Sequence, residues 1–306
     1  MTEQTSAVPA PTEEHSEGIS IIIPAYNEEK GIAGVLQELL ESLDGFNFEF
    51  PTEIIVVNDG SKDNTSAEIE PFLEGGRIRL IVHPVNRGYG AALKTGISQA
   101  HYPWILITDA DGTYPNEFIA DLVTLRDEHD MVVGARTGEN TNIPLIRRPP
   151  KWVLRKLASV LSGQSIPDLN SGLRLMRRRV LEKYLHLLPE GFSFTTTITL
   201  AMFSAGHRVV YTPIDYHKRK GSSKIRPIAD TLNFLKLIFR TVMYFDPLRV
   251  FIPVAGVFFA ASLLVGFGSF FFLEKVMDMS TVLLFVTGVH MLALGMIADT
   301  LNRRIH

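Results

Sequence analysis

Near the C-terminus, an uncharged apolar run limits the possible folds more than any other stretch of the sequence. It extends from Val250 to Leu273, "VFIPVAGVFFAASLLVGFGSFFFL". About 20 apolar residues span the hydrocarbon core of a bilayer as a helix. A second apolar run extends from Thr281 to Leu301, after the polar break "EKVMDMS". We therefore expect a transmembrane hairpin within residues 250–306, with helices at about 250–273 and 281–301. Two buried helices of a soluble domain are the alternative.

Basic residues flank the two apolar runs unequally. Arg240 and Arg249 precede the first run, Arg303 and Arg304 follow the second, and the connecting loop contains Lys275 alone. Positive charge favours the cytoplasmic side of a membrane protein. We therefore expect a protein of the cell (inner) membrane with both termini in the cytoplasm.

The rest of the chain reads as three further segments. Residues 1–18, "MTEQTSAVPAPTEEHSEG", are polar and acidic without the features of a secretory signal, and predict a disordered tail. Residues 19–224 are expected to form a cytoplasmic domain, and residues 225–249 to form interfacial amphipathic helices on membrane lipids.

Composition excludes two classes of site. A formal charge of −3 gives no reason to expect nucleic acid as a partner, and the absence of cysteine excludes thiolate metal sites.

Short apolar runs alternate with helical patterns between residues 19 and 224. The runs "ISIII", "EIIVV", "IRLIV", "WILIT" and "MVVGA" predict strands, and "GIAGVLQELLESL" and "GAALKTGISQA" predict helices. This alternation indicates an α/β fold with a Rossmann-like, mostly parallel sheet flanked by helices. Each run ends in a polar cluster, and ligands of such folds bind at the carboxyl ends of the strands.

The polar clusters do not match the common nucleotide motifs. A dinucleotide site needs G-x-G-x-x-G after the first strand, where this chain has "PAYNEEKG". The P-loop pattern is also absent from the sequence. The glycine-rich "NRGYGAALKTG" fits a tight turn before a helix at least as well as a phosphate loop.

Two aspartates follow the fourth predicted strand in "LITDADGTYP". Asp109 and Asp111 are two residues apart, so in an extended chain both carboxylates point to the same side. Mg²⁺ is commonly held by one or two carboxylates together with substrate phosphates, and hard oxygen ligands also suit Mn²⁺. The pair therefore predicts a Mg²⁺ or Mn²⁺ site for a diphosphate.

Together, "PAYNEE", "VVNDGSKDNT", "DADG", "VVGAR", "DLNSGLRLMRR" and "RKGSSK" resemble the family 2 glycosyltransferases, which have the GT-A fold. With the apolar hairpin, the resemblance is to the polyprenyl-phosphate sugar transferases, such as dolichyl-phosphate mannose synthase and bacterial prenyl-phosphate glucosyltransferases. It implies inverting, metal-dependent transfer of one sugar from a UDP- or GDP-sugar donor. The implied acceptor is undecaprenyl or dolichyl phosphate at the cytoplasmic membrane face.

The resemblance also implies donor-binding residues. The matching positions for the nucleotide sugar are Pro24, Ala25, Tyr26, Glu28, Val57, Asp59, Asp109, Ala110 and Asp111. Asp59 would recognise the base, and Asp109 and Asp111 would bind the metal. Thr113 stands where many mannose synthases have a glutamine ligand, which leaves open how the metal shell is completed.

Basic residues of the later motifs are expected to bind the acceptor phosphate. The matching positions are Arg136, Ser171, Arg174, Arg219, Ser223 and Lys224, with Lys218 as the alternative to Arg219. The catalytic set implied by the family is Asp111, Arg136, Asp168 and Arg174. The stretch "RRPPKWVLRK", residues 147–156, is either a further headgroup contact or a solvated basic face.

Two other functions are compatible with parts of the sequence. A processive polysaccharide synthase would carry Q-x-x-R-W, and neither Trp104 nor Trp152 lies in that context. A membrane-anchored sugar-nucleotide-binding module without catalysis would not need the retained aspartates. Relatives with a two-helix hairpin can assemble through it, so a homo-oligomer is a further expectation.

Overall fold

A computed structural model of the 306-residue chain describes residues 17–138, 156–160, 163–191, 193–217, 227–272 and 278–305. Two compact units make up the chain. The first comprises Met1–Pro144, Asn170–Ile198 and Arg208–Lys224, and the second comprises Leu145–Leu169, Thr199–His207 and Ile225–His306. The domain boundaries expected at residues 18, 224 and 249 stay predictions.

A seven-stranded sheet forms the first unit. Its strands are β1 Ile19–Ala25, β2 Thr52–Asn58, β3 Ile78–Val82, β4 Trp104–Ile107, β5 Met131–Ala135, β6 Arg174–Arg177 and β7 Val209–Pro213. Their order is β3-β2-β1-β4-β6-β5-β7. All neighbouring pairs are parallel except those of β6, which runs antiparallel to β4 and β5. The carboxyl ends of six strands and the amino end of β6 therefore share one edge.

Helices connect the strands and continue beyond them. They are α1 Ile32–Gly45, α2 Thr65–Ile69, α3 Tyr89–Ser98, α4 Phe118–Thr124, α5 Arg178–Tyr184, α6 Phe194–Ser204, α7 Pro227–Phe245, α8 Leu248–Phe272 and α9 Asp278–Ile305, with a 3₁₀ turn at Glu70–Phe72. Residues 156–160 are also helical.

Helix α1 shows how the sequence builds the core. Leu36, Leu39 and Leu43 recur at helical spacing on one face, and all three are buried. They belong to the same apolar cluster as Ile21 and Ile54 of β1 and β2. The near-continuous apolar composition of these strands follows from burial on both faces of a parallel sheet.

The five predicted strands are confirmed as β1 to β5, and the two predicted helices as α1 and α3. Strands β6 and β7 were not predicted. Strand β6 has four residues and begins and ends with arginine, so it lacks the apolar run that marks the other central strands.

Two helices of the second unit are long and apolar enough to cross a membrane, Leu248–Phe271 and Asp278–Asn302. Large apolar side chains on both are exposed; Leu264 of α8 is 75% exposed and Leu283 of α9 is 65% exposed. A soluble protein rarely leaves so continuous an apolar surface open. This exposure favours the expected membrane hairpin over two buried helices of a soluble domain.

The two hairpin helices pack closely through small residues. A Cβ atom at Gly288 would lie 2.7 Å from the ring of Phe259, and one at Gly295 would lie 2.7 Å from Phe251. The Ser262 hydroxyl donates to the Thr281 carbonyl oxygen at 2.8 Å. Small side chains at helix contacts are typical of membrane packing.

Helix α7 is amphipathic over its second half. Ile238 and Val242, four residues apart, are fully buried, whereas Lys236 and Arg240 are exposed. This pattern agrees with one buried face and one charged face. The expected contact of Lys236 and Arg240 with lipid headgroups stays a prediction.

Glu53 stabilises the sheet at the amino end of β2. Its carboxylate accepts hydrogen bonds from the Ser20 hydroxyl at 2.6 Å and the His101 N–H at 2.7 Å, and it pairs with Arg79 at 2.7 Å. Burial raises the pKa of Glu53, but the bonds from Ser20, His101 and Arg79 outweigh it. The pKa therefore lies below its ordinary value of 4.5.

We expect Glu53→Gln to lower the free energy of unfolding at pH 7 by about 2 kcal/mol, because hydrogen bonds to a buried charge are lost. Since the folded-state pKa is depressed, this contribution is present above 4.5 and is lost as the pH falls through the folded pKa. Urea unfolding of both proteins between pH 7 and pH 3 measures the difference, which should shrink in acid. The exposed control Glu41→Gln should change stability by less than about 0.5 kcal/mol; an equal effect of both substitutions at pH 7 would contradict the assignment.

Candidate active site

The shared edge of the sheet brings most of the predicted donor residues into one unit. Tyr26 and Glu28 follow β1, and Asp59 follows β2. Asp109 and Asp111 follow β4. Arg136 follows β5, and Ser171 and Arg174 lie at the amino end of β6. Because β6 is antiparallel, the "NSGLR" motif reaches this edge before its strand instead of after it.

The loops after β1 and β2 are joined by hydrogen bonds between side chains and backbone. The Asn27 N–H donates to the Ser61 hydroxyl, and the Lys62 N–H donates to the Asn27 side-chain oxygen, both at 2.9 Å. The Glu28 N–H donates to the Thr65 hydroxyl at 2.9 Å. Asn27 has a φ of 57°, a left-handed conformation that asparagine tolerates better than most residues. These bonds fix the path of the loop that carries Tyr26 and Glu28.

Asp63 belongs to the same pair of loops. Burial raises its pKa, but hydrogen bonds from the Thr65 side chain and backbone and from the Glu29 N–H lower it more, so the pKa lies below the ordinary value of 3.8. The charged form of Asp63 therefore stabilises the loop pair.

Asp59 is buried and holds the loop that follows β3. Its Oδ1 accepts from the Arg87 N–H at 2.9 Å and lies 2.7 Å from His83 Nδ1, and its Oδ2 accepts from the Gly88 N–H at 2.7 Å. His83 is also buried, and its Nε2 lies 3.0 Å from the Thr95 hydroxyl. His83 was missed by the sequence analysis, although it opens the "HPVNRGYG" cluster. The base-recognition role expected for Asp59 stays a prediction.

Asp109 is half-buried and contacts two other motifs. The Tyr89 hydroxyl donates to Asp109 Oδ1 at 3.1 Å. A Cβ atom at Gly172 would lie 2.8 Å from Asp109 Oδ2, so the carboxylate packs directly against the glycine. Burial, followed by the charge of Asp109, holds the pKa of Tyr89 well above its ordinary value of 10.0. Tyr89 therefore stays protonated and acts as a donor.

Thr113 binds Asp111. Both the Thr113 N–H and its hydroxyl donate to Asp111 Oδ1, at 3.1 and 2.6 Å. The Thr113 side chain is fully buried, and its carbonyl oxygen accepts from the His217 N–H at 2.9 Å. At the position where the resemblance implies a glutamine in many mannose synthases, this chain thus has a hydroxyl that orients the second aspartate.

Ser171 and Arg174 have fully buried side chains. The Ser171 hydroxyl donates to the Gly134 carbonyl oxygen at 2.5 Å, and the Arg174 Nε donates to the Ser171 carbonyl oxygen at 2.7 Å. These bonds support the "NSGLR" backbone next to Asp109. The phosphate-binding role expected for Ser171 and Arg174 stays a prediction.

Arg136 is half-buried at the end of β5. Its guanidinium carbon lies 5.2 Å from the centre of the Tyr216 ring, a cation–π contact. The Tyr216 ring in turn meets the Tyr114 ring edge-on at 5.3 Å. The predicted phosphate-binding role of Arg136 stays a prediction, and the aromatic support orients its guanidinium.

Several predicted residues belong to the second unit or lie outside the described residues. Asp168 is half-buried and belongs to the second unit. The acceptor residues Arg219, Ser223 and Lys224, together with Lys218 and most of the "RRPPKWVLRK" stretch, lie outside the described residues. Their expected roles stay predictions.

The carboxylates of Asp109 and Asp111 fit a divalent cation whose other ligands include phosphate oxygens of the substrate. Within the described ranges, no group of three or more His, Asp or Glu side chains could hold a metal by itself. Asp109 and Asp111 supply carboxylate oxygens, whereas the His83 imidazole contacts Asp59 and Thr95. Two carboxylates completed by donor phosphates are the usual arrangement for Mg²⁺.

Comparison with known proteins matches both parts of the chain. Residues 20–185 match the family model described as glycosyl transferase family 2, and residues 246–303 match the model described as the GtrB C-terminal hairpin. A dolichyl-phosphate hexose transferase of Haloferax volcanii is 30% identical over 220 residues, covering 71% of this chain and 91% of the relative. An undecaprenyl-phosphate 4-deoxy-4-formamido-L-arabinose transferase of Proteus mirabilis is 27% identical over 302 residues, covering 93% of this chain and 88% of the relative.

Solved structures match the sheet and its helices. Glucosyl-3-phosphoglycerate synthase from Mycobacterium tuberculosis, in complex with Mn²⁺, UDP and phosphoglyceric acid, aligns with a TM-score of 0.58 and 18% identity. The alignment covers 74% of this chain and 78% of that chain. This likeness confirms the expected GT-A fold. The family model covers more than half of the chain, and we conclude that the chain belongs to glycosyl transferase family 2, as a glycosyltransferase of the polyprenyl-phosphate type with a GtrB C-terminal hairpin.

Proposed function

We propose that this glycosyltransferase moves one sugar from a UDP- or GDP-sugar to the phosphate of a polyprenyl phosphate at the cytoplasmic face of the membrane. The observation that carries the proposal is the presence in one chain of an aspartate pair at the GT-A sheet edge and a GtrB-type hairpin. The first feature suits a nucleotide diphosphate, and the second suits an acceptor that is confined to the bilayer.

The relatives support the choice of acceptor. The Haloferax volcanii protein is named for dolichyl phosphate and the Proteus mirabilis protein for undecaprenyl phosphate, and both act as sugar transferases by name. The Proteus mirabilis match covers the hairpin as well as the GT-A part, since it spans 93% of this chain. We infer a polyprenyl phosphate of one of these two types for the present enzyme.

Asp109 and Asp111 are proposed to hold Mg²⁺ or Mn²⁺ together with the donor diphosphate. The structural relative was crystallised with Mn²⁺ and UDP, which supports a divalent cation with a nucleotide. When bound, the cation would neutralise charge on the leaving diphosphate. The Thr113 hydroxyl orients the Asp111 carboxylate by a hydrogen bond, and the Tyr89 hydroxyl orients the Asp109 carboxylate in the same way.

The acceptor phosphate is proposed to be the nucleophile. One of its oxygens forms a bond to the anomeric carbon while the bond from that carbon to the diphosphate oxygen breaks, and the diphosphate leaves with the electron pair. Attack from the side opposite the leaving group inverts the anomeric configuration. A phosphate monoester has a second pKa of about 6 and is largely dianionic near pH 7, so no strong general base is needed.

The protein's contribution is positioning and charge. Two anions must approach each other in this reaction, and their repulsion has to be offset by cationic groups. Arg136 is the described candidate, because its guanidinium is half-buried at the strand edge and supported by Tyr216. Arginine binds phosphate oxygens in a bidentate manner, which fixes orientation as well as charge.

The topology proposed for the hairpin follows from its flanking charges. Arg249 lies in the first turn of α8, and Arg303 and Arg304 lie at the end of α9, so both helix ends are expected at the cytoplasmic face. The GT-A unit would then lie on the side of the membrane where nucleotide sugars are available.

Incubation of the purified full chain with a panel of substrates tests the proposal. The panel combines UDP- and GDP-sugars, Mg²⁺ or Mn²⁺, and undecaprenyl or dolichyl phosphate, and the lipid product is identified by mass. We expect a lipid carrying one sugar. Lipid-free polymer would instead indicate a processive synthase, and nucleotide binding without any product across the panel would indicate a binding module.

A further inference from the structure

We propose that Tyr89 is a positioning residue for the Asp109 carboxylate, and that residue 172 must be glycine because the same carboxylate packs against it. The inference rests on the proposed function, in which Asp109 binds the metal and the donor. It adds two residues that act on the metal indirectly, because both contact the Asp109 carboxylate.

The first contact is the hydrogen bond from the Tyr89 hydroxyl to Asp109 Oδ1 at 3.1 Å. A hydrogen bond to a charged acceptor is roughly twice as strong as one between neutral groups. It restricts rotation of the carboxylate about its last torsion, which is otherwise broad. Tyr89 thereby selects one orientation of the two Asp109 oxygens.

Tyr89 is itself held by a tightly packed loop. A Cβ atom at Gly88, whose φ is 105°, would lie 2.6 Å from the Glu190 carbonyl oxygen, and one at Gly90 would overlap the Pro189 carbonyl oxygen. The Ala91 N–H donates to the Glu190 carbonyl oxygen at 3.0 Å. The glycines on either side of Tyr89 therefore let the backbone lie directly on residues 189–191.

The same loop is fixed from its other side by Asp59. This carboxylate accepts from the N–H groups of Arg87 and Gly88, the two residues before Tyr89. A chain of bonded groups thus extends from Asp59 through the loop backbone to the Tyr89 hydroxyl and Asp109. The "NRGYG" loop therefore connects Asp59 to Asp109 through hydrogen bonds at both of its ends.

The second contact is steric. A Cβ atom at Gly172 would lie 2.8 Å from Asp109 Oδ2 and 2.9 Å from Oδ1. The Gly172 N–H donates to the Tyr114 hydroxyl at 2.7 Å, so its backbone cannot easily move away. A methyl group at this position would displace the carboxylate from the orientation that Tyr89 selects.

Metal binding by the full-length Tyr89→Phe variant tests the inference. Mn²⁺ binding in the presence of UDP, and separately of GDP, is followed by electron paramagnetic resonance, with thermal unfolding as the check on folding. We expect the affinity for Mn²⁺ to fall roughly 10- to 100-fold, as is typical when a partner of a metal ligand is lost. The unfolding temperature should change little, and Gly172→Ala should weaken Mn²⁺ binding to a similar extent.

Matched controls separate positioning from general damage. Tyr184→Phe removes a hydroxyl from another half-buried tyrosine near a carboxylate, Asp130, outside this site. Gly34→Ala adds a methyl group at an exposed helical glycine with nothing within 4 Å. Both controls should bind Mn²⁺ as the unmodified protein does. In an Asp109→Asn background, Tyr89→Phe should cause less than a further twofold loss, because both changes act on one ligand.

Unchanged Mn²⁺ affinity in folded Tyr89→Phe protein would overturn the inference while leaving the proposed sugar transfer intact. Additive losses from Tyr89→Phe and Asp109→Asn would overturn it as well. If the unmodified protein bound no Mn²⁺ with either nucleotide, the premise that Asp109 binds metal would be wrong. The lipid product assay then decides independently whether the proposed function also fails.

Discussion

Asp111→Asn is expected to reduce sugar transfer by at least about 100-fold, because a neutral amide cannot replace a carboxylate beside a cation and a diphosphate. Asp111 lies two residues after Asp109 at the end of β4, and its Oδ1 is held by both donors of Thr113. These bonds orient the carboxylate, so the substitution removes charge from a defined position. Transfer rates at saturating donor and acceptor, measured with Mg²⁺ and with Mn²⁺, give the size of the loss.

Asp111→Asn should lose sugar transfer while keeping the folded structure. Asp111 is half-buried at the edge of the sheet, so the variant is expected to fold and to enter membranes as the unmodified protein does. Asp127→Asn is the matched control, because the Asp127 side chain is 84% exposed and pairs with Arg126 at 3.4 Å. Near-normal turnover by Asp111→Asn would show that this carboxylate does not bind the metal.

The sheet could be predicted from the sequence wherever burial produced a continuous apolar run. Strands β1, β2 and β4 are buried over most of their length, and their polar clusters begin where the sheet ends. Strand β6 could not be predicted in this way. Its sequence, "RLMR", places a fully buried arginine at its first position, and its antiparallel pairing with β4 and β5 depends on contacts distant in sequence.

The same strand also shows what a motif cannot predict about its environment. The basic residue in "NSGLR" suggests an exposed side chain, but Arg174 is fully buried and its Nε donates to the Ser171 carbonyl oxygen. His83 and Tyr89 were missed because their partners are distant in sequence. Neither lies next to its aspartate in sequence, since 24 residues separate His83 from Asp59 and 20 separate Tyr89 from Asp109. Only the parallel sheet, which aligns the strand ends, brings these pairs together.

Removal of Pro247 and all later residues, which deletes α8 and α9, is expected to lower transfer to a long-chain polyprenyl phosphate by about 100-fold or more. The acceptor is confined to the bilayer, and a membrane hairpin confines the enzyme to the same thin layer. Confinement raises the effective concentration of one partner around the other, a gain of roughly 10²–10⁴ in comparable tethered systems. The comparison uses proteoliposomes that contain undecaprenyl phosphate, with equal amounts of full-length and truncated protein.

A short-chain, water-soluble prenyl phosphate supplies the control for this truncation. The described contacts of Asp59 with Gly88, of Asp109 with Tyr89 and of Asp111 with Thr113 lie within residues 17–217, outside the deleted segment. If the hairpin acts by confinement, the truncated protein should bind UDP or GDP normally and should transfer to the soluble acceptor at a rate near that of the full chain. Equal transfer of both proteins to the long-chain lipid would contradict confinement. Loss of transfer to both acceptors, with nucleotide binding retained, would mean instead that the hairpin helps to form the acceptor site itself.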